Sequence, residues 1–296
     1  MKTAARSTPA TLNTVLFATD FSDSAKRAQS YATALAKRFG AKLFVVHAKE
    51  PPNYSLPPES WRSADDVDAR KIHELQKSLP EGFPSLKSEF CVGEGSVWHV
   101  VESVLKSNRV DLIVLGTRGR TGVAKLMLGS QAEEILRRSL CPVLTVGPHS
   151  QEITGGEKEL TEIMYATDFT PESQAAAPYA ISIALALGAH LSLLHVVEEP
   201  RVGELVNPEE IIPSSVRLLG TLIPEGAEFW REPRCLVETG VASEKILEVA
   251  ERIPASLIVL GVRKPTGVAG AVTHLGAGMA HKVIASATCP VLTVRH

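Results

Sequence analysis

"VLFATDFSDSAKRAQSYATALAKRFGAKLFVVH", Val15 to His47, returns later in the chain as "IMYATDFTPESQAAAPYAISIALALGAHLSLLH", Ile163 to His195. The two align without a gap, and 12 of the 33 positions are identical, ATDF among them. Each copy is a short apolar run, a stretch with apolar residues three and four apart, a glycine (Gly40 or Gly188), and a second apolar run. Nearly continuous apolar runs suit strands buried on both faces, and the longer period suits a helix. The chain is therefore a duplication, and its unit is strand, helix, strand.

Further repeats extend outward from this core. "DLIVLGTRGRTGVA" (Asp111–Ala124) is answered by "SLIVLGVRKPTGVA" (Ser256–Ala269), and "CPVLTV" occurs at Cys141 and again at Cys289. The offset between copies runs 148, 145 and 148, so the second copy loses three residues before the glycine-containing segment and regains three after it begins. Strands are expected at Thr14–Thr19, Lys42–Ala48, Asp111–Gly116 and Val143–Val146, and helices at Ser24–Phe39, Asp65–Leu79, Ser96–Ser107 and Ser130–Leu140. Strand and helix alternate, so right-handed crossovers predict an α/β architecture of two tandem doubly wound, Rossmann-like domains. The expected division is a flexible tail at 1–12, a first domain at 13–148, a linker at 149–159 and a second domain at 160–296. A length of 296 residues suits two domains of about 150 each.

Bulk properties narrow the function. The chain is 44% apolar, 22% charged and 5% aromatic, with a formal net charge of −2. No basic field draws the molecule toward nucleic acid or an anionic membrane. Cys91, Cys141, Cys235 and Cys289 form neither a C-x-x-C pair nor a zinc spacing, which suits reduced thiols in the cytoplasm. The N-terminus lacks the apolar run of a signal peptide. Tyr179–Val197 contains no Asp, Glu, Lys or Arg and approaches the length of a membrane span. Gly188, His190 and His195 interrupt it, and it is read as a buried helix, a turn and a strand.

The chemistry concentrates in "LGTRGRTGVAKLMLGS", Leu115 to Ser130, with four glycines and three basic residues in sixteen positions. Thr19 and Asp20 end the first strand and Gly116 ends the fourth, the strand termini where a doubly wound sheet places its ligand. From Gly116 the spacing passes through Gly119 to Gly129 and Ser130, and a helix follows. Glycine admits positive φ and lets a ligand approach the backbone. A helix start presents unpaired amides to phosphate, and Arg118, Arg120 and Lys125 add positive charge nearby. The spacing is neither a Walker A loop nor a dinucleotide fingerprint. His47 and His195 occupy equivalent strand ends, which suggests packing or a backbone hydrogen bond rather than catalysis. His274 and His281 lack visible carboxylate partners for a metal. Cys141 and Cys289 read as small buried groups, and "SADDVDARKIHELQKSL" as a solvated amphipathic helix.

The glycine segment, together with ATDF after the first strand and CPVLTV at the end, resembles the universal stress protein family across residues 13–147 and 160–296. That resemblance implies a five-stranded parallel sheet of order 3-2-1-4-5 per domain and ATP as the ligand, with or without Mg²⁺. It places Thr19 and Asp20 at the adenosine, Ala48 beside the adenine, Gly116, Arg118 and Gly119 along the ribose and phosphates, and Gly129 and Ser130 at the phosphates. It also implies pairing of the last strands, Val143–Val146 against Val291–Val294, as an internal pseudo-dimer, with a homodimer of the whole chain as a further option. The second copy departs from this pattern. Lys264 replaces Gly119, and the gapless C-terminal register sets Ala277 against Gly129 and Gly278 against Ser130, with Gly276 one position out of step. Lysine at a left-handed position costs about 1–2 kcal/mol, so ATP binding is expected in the first domain and not in the second. The alternative for the second domain keeps a ligand, with Lys264 as its anion partner. Three outputs stay open at this point: nucleotide-dependent conformation or assembly, slow ATP hydrolysis, and a nucleotide-free structural module.

Overall fold

The computed structural model describes residues 11–49, 58–82, 86–118, 128–153, 160–198, 208–263 and 278–295. The N-terminal domain runs β1 (Thr14–Ala18), α1 (Asp23–Phe39), β2 (Lys42–Lys49), α2 (Pro58–Gly82), β3 (Ser88–Glu94), α3 (Val97–Ser107), β4 (Leu112–Gly116), α4 (Ser130–Arg138) and β5 (Val143–Val146). The C-terminal domain repeats it as β6 (Glu162–Ala166), α5 (Pro171–Gln174), α6 (Ala177–Leu187), β7 (His190–Val197), α7 (Pro208–Thr221), β8 (Arg234–Thr239), α8 (Ala242–Arg252), β9 (Leu257–Val262), α9 (Met279–Ser286) and β10 (Val291–Arg295). The stretch Tyr179–Val197 is thus helix, left-handed Gly188 and strand, and no described helix is long and apolar enough to cross a membrane.

The ten strands of the described residues form one sheet, in the order β3-β2-β1-β4-β5-β10-β9-β6-β7-β8. Each half has the expected 3-2-1-4-5 order with every pairing parallel. Two apolar layers cover the sheet. On one face Phe17, Leu35, Tyr165 and Ile181 belong to a layer that includes α1 and α6, and on the other Leu16, Val101, Ile135, Val249 and Ile284 belong to a layer that includes α3, α4, α8 and α9. The alternation of Leu16 and Phe17 to opposite faces is the period-two geometry of a strand buried on both sides.

The half-sheets join where the last strands pair, and there the pairing is antiparallel: Val291 with Thr145, Leu292 with Leu144, Thr293 with Val143. Leu292 therefore faces its own repeat equivalent, Leu144, and the Val291–Thr145 and Thr293–Val143 pairs are equivalents of each other, as a twofold contact requires. Thr145 Oγ1 donates to Val291 O at 3.0 Å, and its twin Thr293 Oγ1 donates to Val143 O at 3.2 Å. Away from the strands, Arg38 Nε donates to the carbonyl of Ala186 near the end of α6.

Two local departures have clear causes. The single helix α1 is matched in the C-terminal domain by a one-turn helix and a second helix, separated at Ala175 and Ala176. Pro178 has no N–H to donate to Gln174, and its ring would crowd that carbonyl, so the helix restarts there. The amphipathic helix expected at Asp65–Leu79 extends over Pro58–Gly82, and its face is not wholly solvated: Asp68 is buried together with Leu75 and Leu79.

Burial also sets an alkaline limit. Desolvation pushes the thiols of Cys141 and Cys289 from an ordinary 9.0 up to about 12, and the hydroxyls of Tyr31 and Tyr165 from 10.0 up to about 12. The unfolded chain releases these protons at the ordinary values, so above about pH 9 it binds fewer protons than the native state and stability falls as pH rises. Below that pH all four groups are protonated in both states and contribute no slope. The urea midpoint is expected to drop between about pH 9 and pH 11. Replacing Cys141 and Cys289 by Ala should make the drop shallower, and an unchanged slope would show that the thiols ionise freely in the native state.

Candidate functional site

The C-terminal edge of the N-terminal half-sheet gathers three segments. The first is the turn between β1 and α1. Thr19 leaves β1 with its N–H donated to Val46 O, and its Oγ1 accepts the Phe21 N–H at 3.0 Å. Asp20 Oδ1 accepts the Ser22 N–H at 3.0 Å, and Ser22 caps α1 by accepting the Ala25 N–H. Phe21 sits in the left-handed region, at φ 62°. That conformation costs an L-residue about 1–2 kcal/mol. Its ring leans on His47, with centroids 4.7 Å apart. His47 Nδ1 donates to Thr19 O at 2.8 Å, and its Nε2 lies 3.2 Å from Asp68 Oδ2 on α2.

The C-terminal domain rebuilds this turn. Phe169 also has φ 62° and stacks on His195, whose Nδ1 donates to Thr167 O at 2.8 Å. Asp168 Oδ1 accepts from both N–H and Oγ1 of Thr170, the cap of α5. Burial pushes the Asp168 carboxyl up, but hydrogen bonds from Thr170, Ser173 and backbone amides outweigh it and hold the group below its ordinary 3.8. ATDF recurs, then, because Thr, Asp and Phe together close a strained turn. The paired histidines serve that turn through a backbone bond, as their symmetry suggested.

The second segment is the end of β4. Gly116 has no room for a side chain: a β carbon would lie 2.5 Å from Ser24 Oγ and 2.8 Å from the Ser24 carbonyl carbon. Its glycine is accounted for by the close approach of α1, independently of any ligand. Beyond it, Arg118 N–H donates to Ser24 Oγ at 3.4 Å, and Arg118 O accepts from Ser22 Oγ at 3.3 Å. The third segment is the start of α4. Buried Thr117 donates its N–H to Val146 O and accepts the Gly129 N–H at 2.8 Å, which draws the helix start against the end of β4. Gly129 caps α4 without a side chain, and Ser130 is the exposed first helical residue. The amides of that first turn have no carbonyl partner within the helix.

Thr19, Asp20, Gly116, Arg118, Gly129 and Ser130 are thus brought to one edge, at the point where strand order reverses between β1 and β4. Ala48 lies next to the end of β2 on the same edge, half-buried and in register with Gly93. Gly119, Arg120 and Lys125, like Lys264, His274, Gly276 and Ala277, fall outside the described residues. Sequence reading missed Asp68 and Thr117. Asp68 had a signal, since it falls on the apolar stripe with Leu75 and Leu79, whereas Thr117 had none.

At the corresponding start of the C-terminal domain the cap of α9 is Gly278, the residue that the gapless register sets against Ser130, and Met279 is the first helical residue. The helices end in step, at Ser139 and Ala287, but α9 starts one residue later. No hydroxyl therefore stands at the start of α9, where Gly278 takes the place of Ser130 and Met279 follows exposed.

A cleft of about 390 Å³ opens at the other end of the C-terminal domain, lined by Glu162, His190, Arg231 and Arg234 among others. Its buried carboxylate is already occupied, since Glu162 accepts from Ser192 Oγ at 2.6 Å and from Arg234. Among the described residues no group of three His, Cys, Asp or Glu side chains is placed to hold a metal ion.

Comparison with known proteins agrees with this architecture. The sequence profile of the universal stress protein family matches twice, at residues 11–147 and 159–295. A universal stress protein of Thermus aquaticus is 36% identical over 139 residues, which cover 45% of this chain and 97% of that protein. One of Mycobacterium tuberculosis is 25% identical over 270 residues, 86% of this chain and 87% of that protein. The crystal structure of a universal stress protein from Archaeoglobus fulgidus superposes with a TM-score of 0.70 at 22% identity, covering 96% of each chain. With two matches spanning nearly its whole length and a shared fold, the chain belongs to the universal stress protein family, as a tandem pair of its domains.

Proposed function

We propose that the N-terminal domain binds ATP in the crevice between the Thr19–Ser24 turn and the Gly129–Ser130 helix start, and that the C-terminal domain does not. The observation that carries this reading is the start of α4. A glycine cap places no side chain on the first-turn amides, Ser130 adds an exposed hydroxyl, and Thr117 holds both against the switch point of the sheet. Backbone amides and the helix dipole favour a phosphate there, and the dipole contributes roughly 0.3–2 kcal/mol. Asp20 and Ala48 flank the opposite side of the crevice, at the ends of β1 and β2, where the adenosine would lie. The output is conformational: ATP would tie the loop after β4 to the β1–α1 turn and bias association of the chain with itself or with partners. In the C-terminal domain neither Gly278 nor Met279 carries a side-chain donor at the start of α9.

Identification of the small molecule released on denaturing the purified protein, with its stoichiometry, tests the whole reading. One nucleotide per chain is the expected result. Two per chain would remove the asymmetry, and none, with no heat of binding on titration with ATP in the presence or absence of Mg²⁺, would remove the proposal. Ser130→Ala is expected to weaken ATP binding by about tenfold, the worth of one hydrogen bond to a charged oxygen. Calorimetric titration reads that change, and an unaltered affinity would place the phosphates elsewhere.

A further inference from the structure

The threonine contacts of the central seam come in pseudo-symmetric pairs, but the arginine contacts do not. Arg295, at the end of β10, reaches across to α4: Nη1 donates to Arg137 O at 2.9 Å and Nη2 donates to Leu136 O. These are last-turn carbonyls, which no later amide of the helix satisfies, and a cation at that end also suits the helix dipole. The repeat equivalent of Arg295 is Gly147, which faces the end of α9. A β carbon on Gly147 would lie 3.6 Å from Ala287 O. The backbone comes close on both sides, but Gly147 has no side chain to reach the end of α9 as Arg295 reaches α4.

We infer that Arg295 is a positioning residue through which the C-terminal domain sets the placement of α4 in the N-terminal domain, with no reciprocal hold on α9. The helix has nine residues and so spans about 13 Å. A body that short moves as a unit, and its two ends are tied by different contacts. Gly129 N–H holds the start to Thr117 O, and Arg295 holds the finish. Ala132, Ile135 and Leu136 seat it on the sheet. Releasing the finish lets the helix tilt about these apolar contacts and carries Gly129 and Ser130 with it. The duplication then has a use for a domain without a phosphate-type helix start: it braces the one that has it. The consequence for binding rests on the ATP reading above, whereas the bracing itself does not.

Two measurements on the full chain separate these. In ligand-free Arg295→Met, amide hydrogen exchange over α4 is expected to quicken by about fivefold, while α9 keeps the wild-type rate. Arg295→Lys, which retains a donor and a charge, should restore part of the protection. Calorimetric titration should show ATP affinity weakened by about fivefold in Arg295→Met and by less in Arg295→Lys. Unchanged exchange in α4, or equal quickening in α4 and α9, would overturn the inference, the second because it marks general destabilisation. Quickened exchange in α4 with an unaltered affinity would overturn the effect on the site. If wild type binds no ATP, the functional reading fails, and the exchange data alone uphold or overturn the brace.

Discussion

Gly261→Ala is expected to destabilise the protein by about 3 kcal/mol or more, at the upper end of overpacking effects. The added β carbon would fall 2.2 Å from Glu172 O and 2.3 Å from Ser173 Cα. Both are backbone atoms, so no rotamer change relieves the contact and α5 itself has to move. That displacement breaks the hydrogen bond from Tyr165 Oη to Ser173 O, 2.8 Å in the native state, and the 2.9 Å contact between Thr167 Oγ1 and Ser173 Oγ. Gly116→Ala is the informative companion. There the nearest atom is a serine hydroxyl that can rotate away, although Ser24 backbone remains at 2.8 Å, and a smaller loss of about 1–2 kcal/mol follows. Urea denaturation of both variants measures the difference. A loss under about 1 kcal/mol for Gly261→Ala would mean that the one-turn helix slides aside freely.

The seam between the domains should be equally sensitive. Leu292 and Leu144 are each 1% exposed and face one another on the pseudo-twofold axis. Leu292→Asp removes about 2–3 kcal/mol of apolar burial and sets a carboxylate among apolar groups with no partner, which costs several kcal/mol more. The antiparallel pairing between β5 and β10 is short, so the cheaper response is to part the two strands and hydrate the charge. The expected result is a monomer of larger radius of gyration by small-angle scattering, with unfolding split into two transitions. A single transition at the wild-type midpoint would show that the domains are held together elsewhere.

Much of this was legible in the sequence because it rests on local periodicity and on repetition. The gapless match between Val15–His47 and Ile163–His195 is enough to define the strand–helix–strand unit. The apolar character of the runs around Leu16, Val114 and Leu144 places them inside a covered parallel sheet. The edge strand β3 gave no comparable signal, since one side of it is open and its residues alternate in exposure. The break between α5 and α6 hinged on Pro178, a single residue whose effect the gapless match to α1 concealed.

The roles of individual residues divide along the same physical line. Period, chain reversal and duplication are properties of neighbouring residues, and they set the fold and the edge of the sheet where Asp20, Gly116 and Ser130 come together. Close approach between distant segments is not written in any local pattern. It took the packed chain to show that Gly116 yields to Ser24, that ATDF closes a strained turn on His47, that Asp68 on α2 is drawn in to His47, and that Arg295 reaches the end of α4. Each depends on atoms far apart in sequence meeting at van der Waals or hydrogen-bond distance, which no residue type announces in advance.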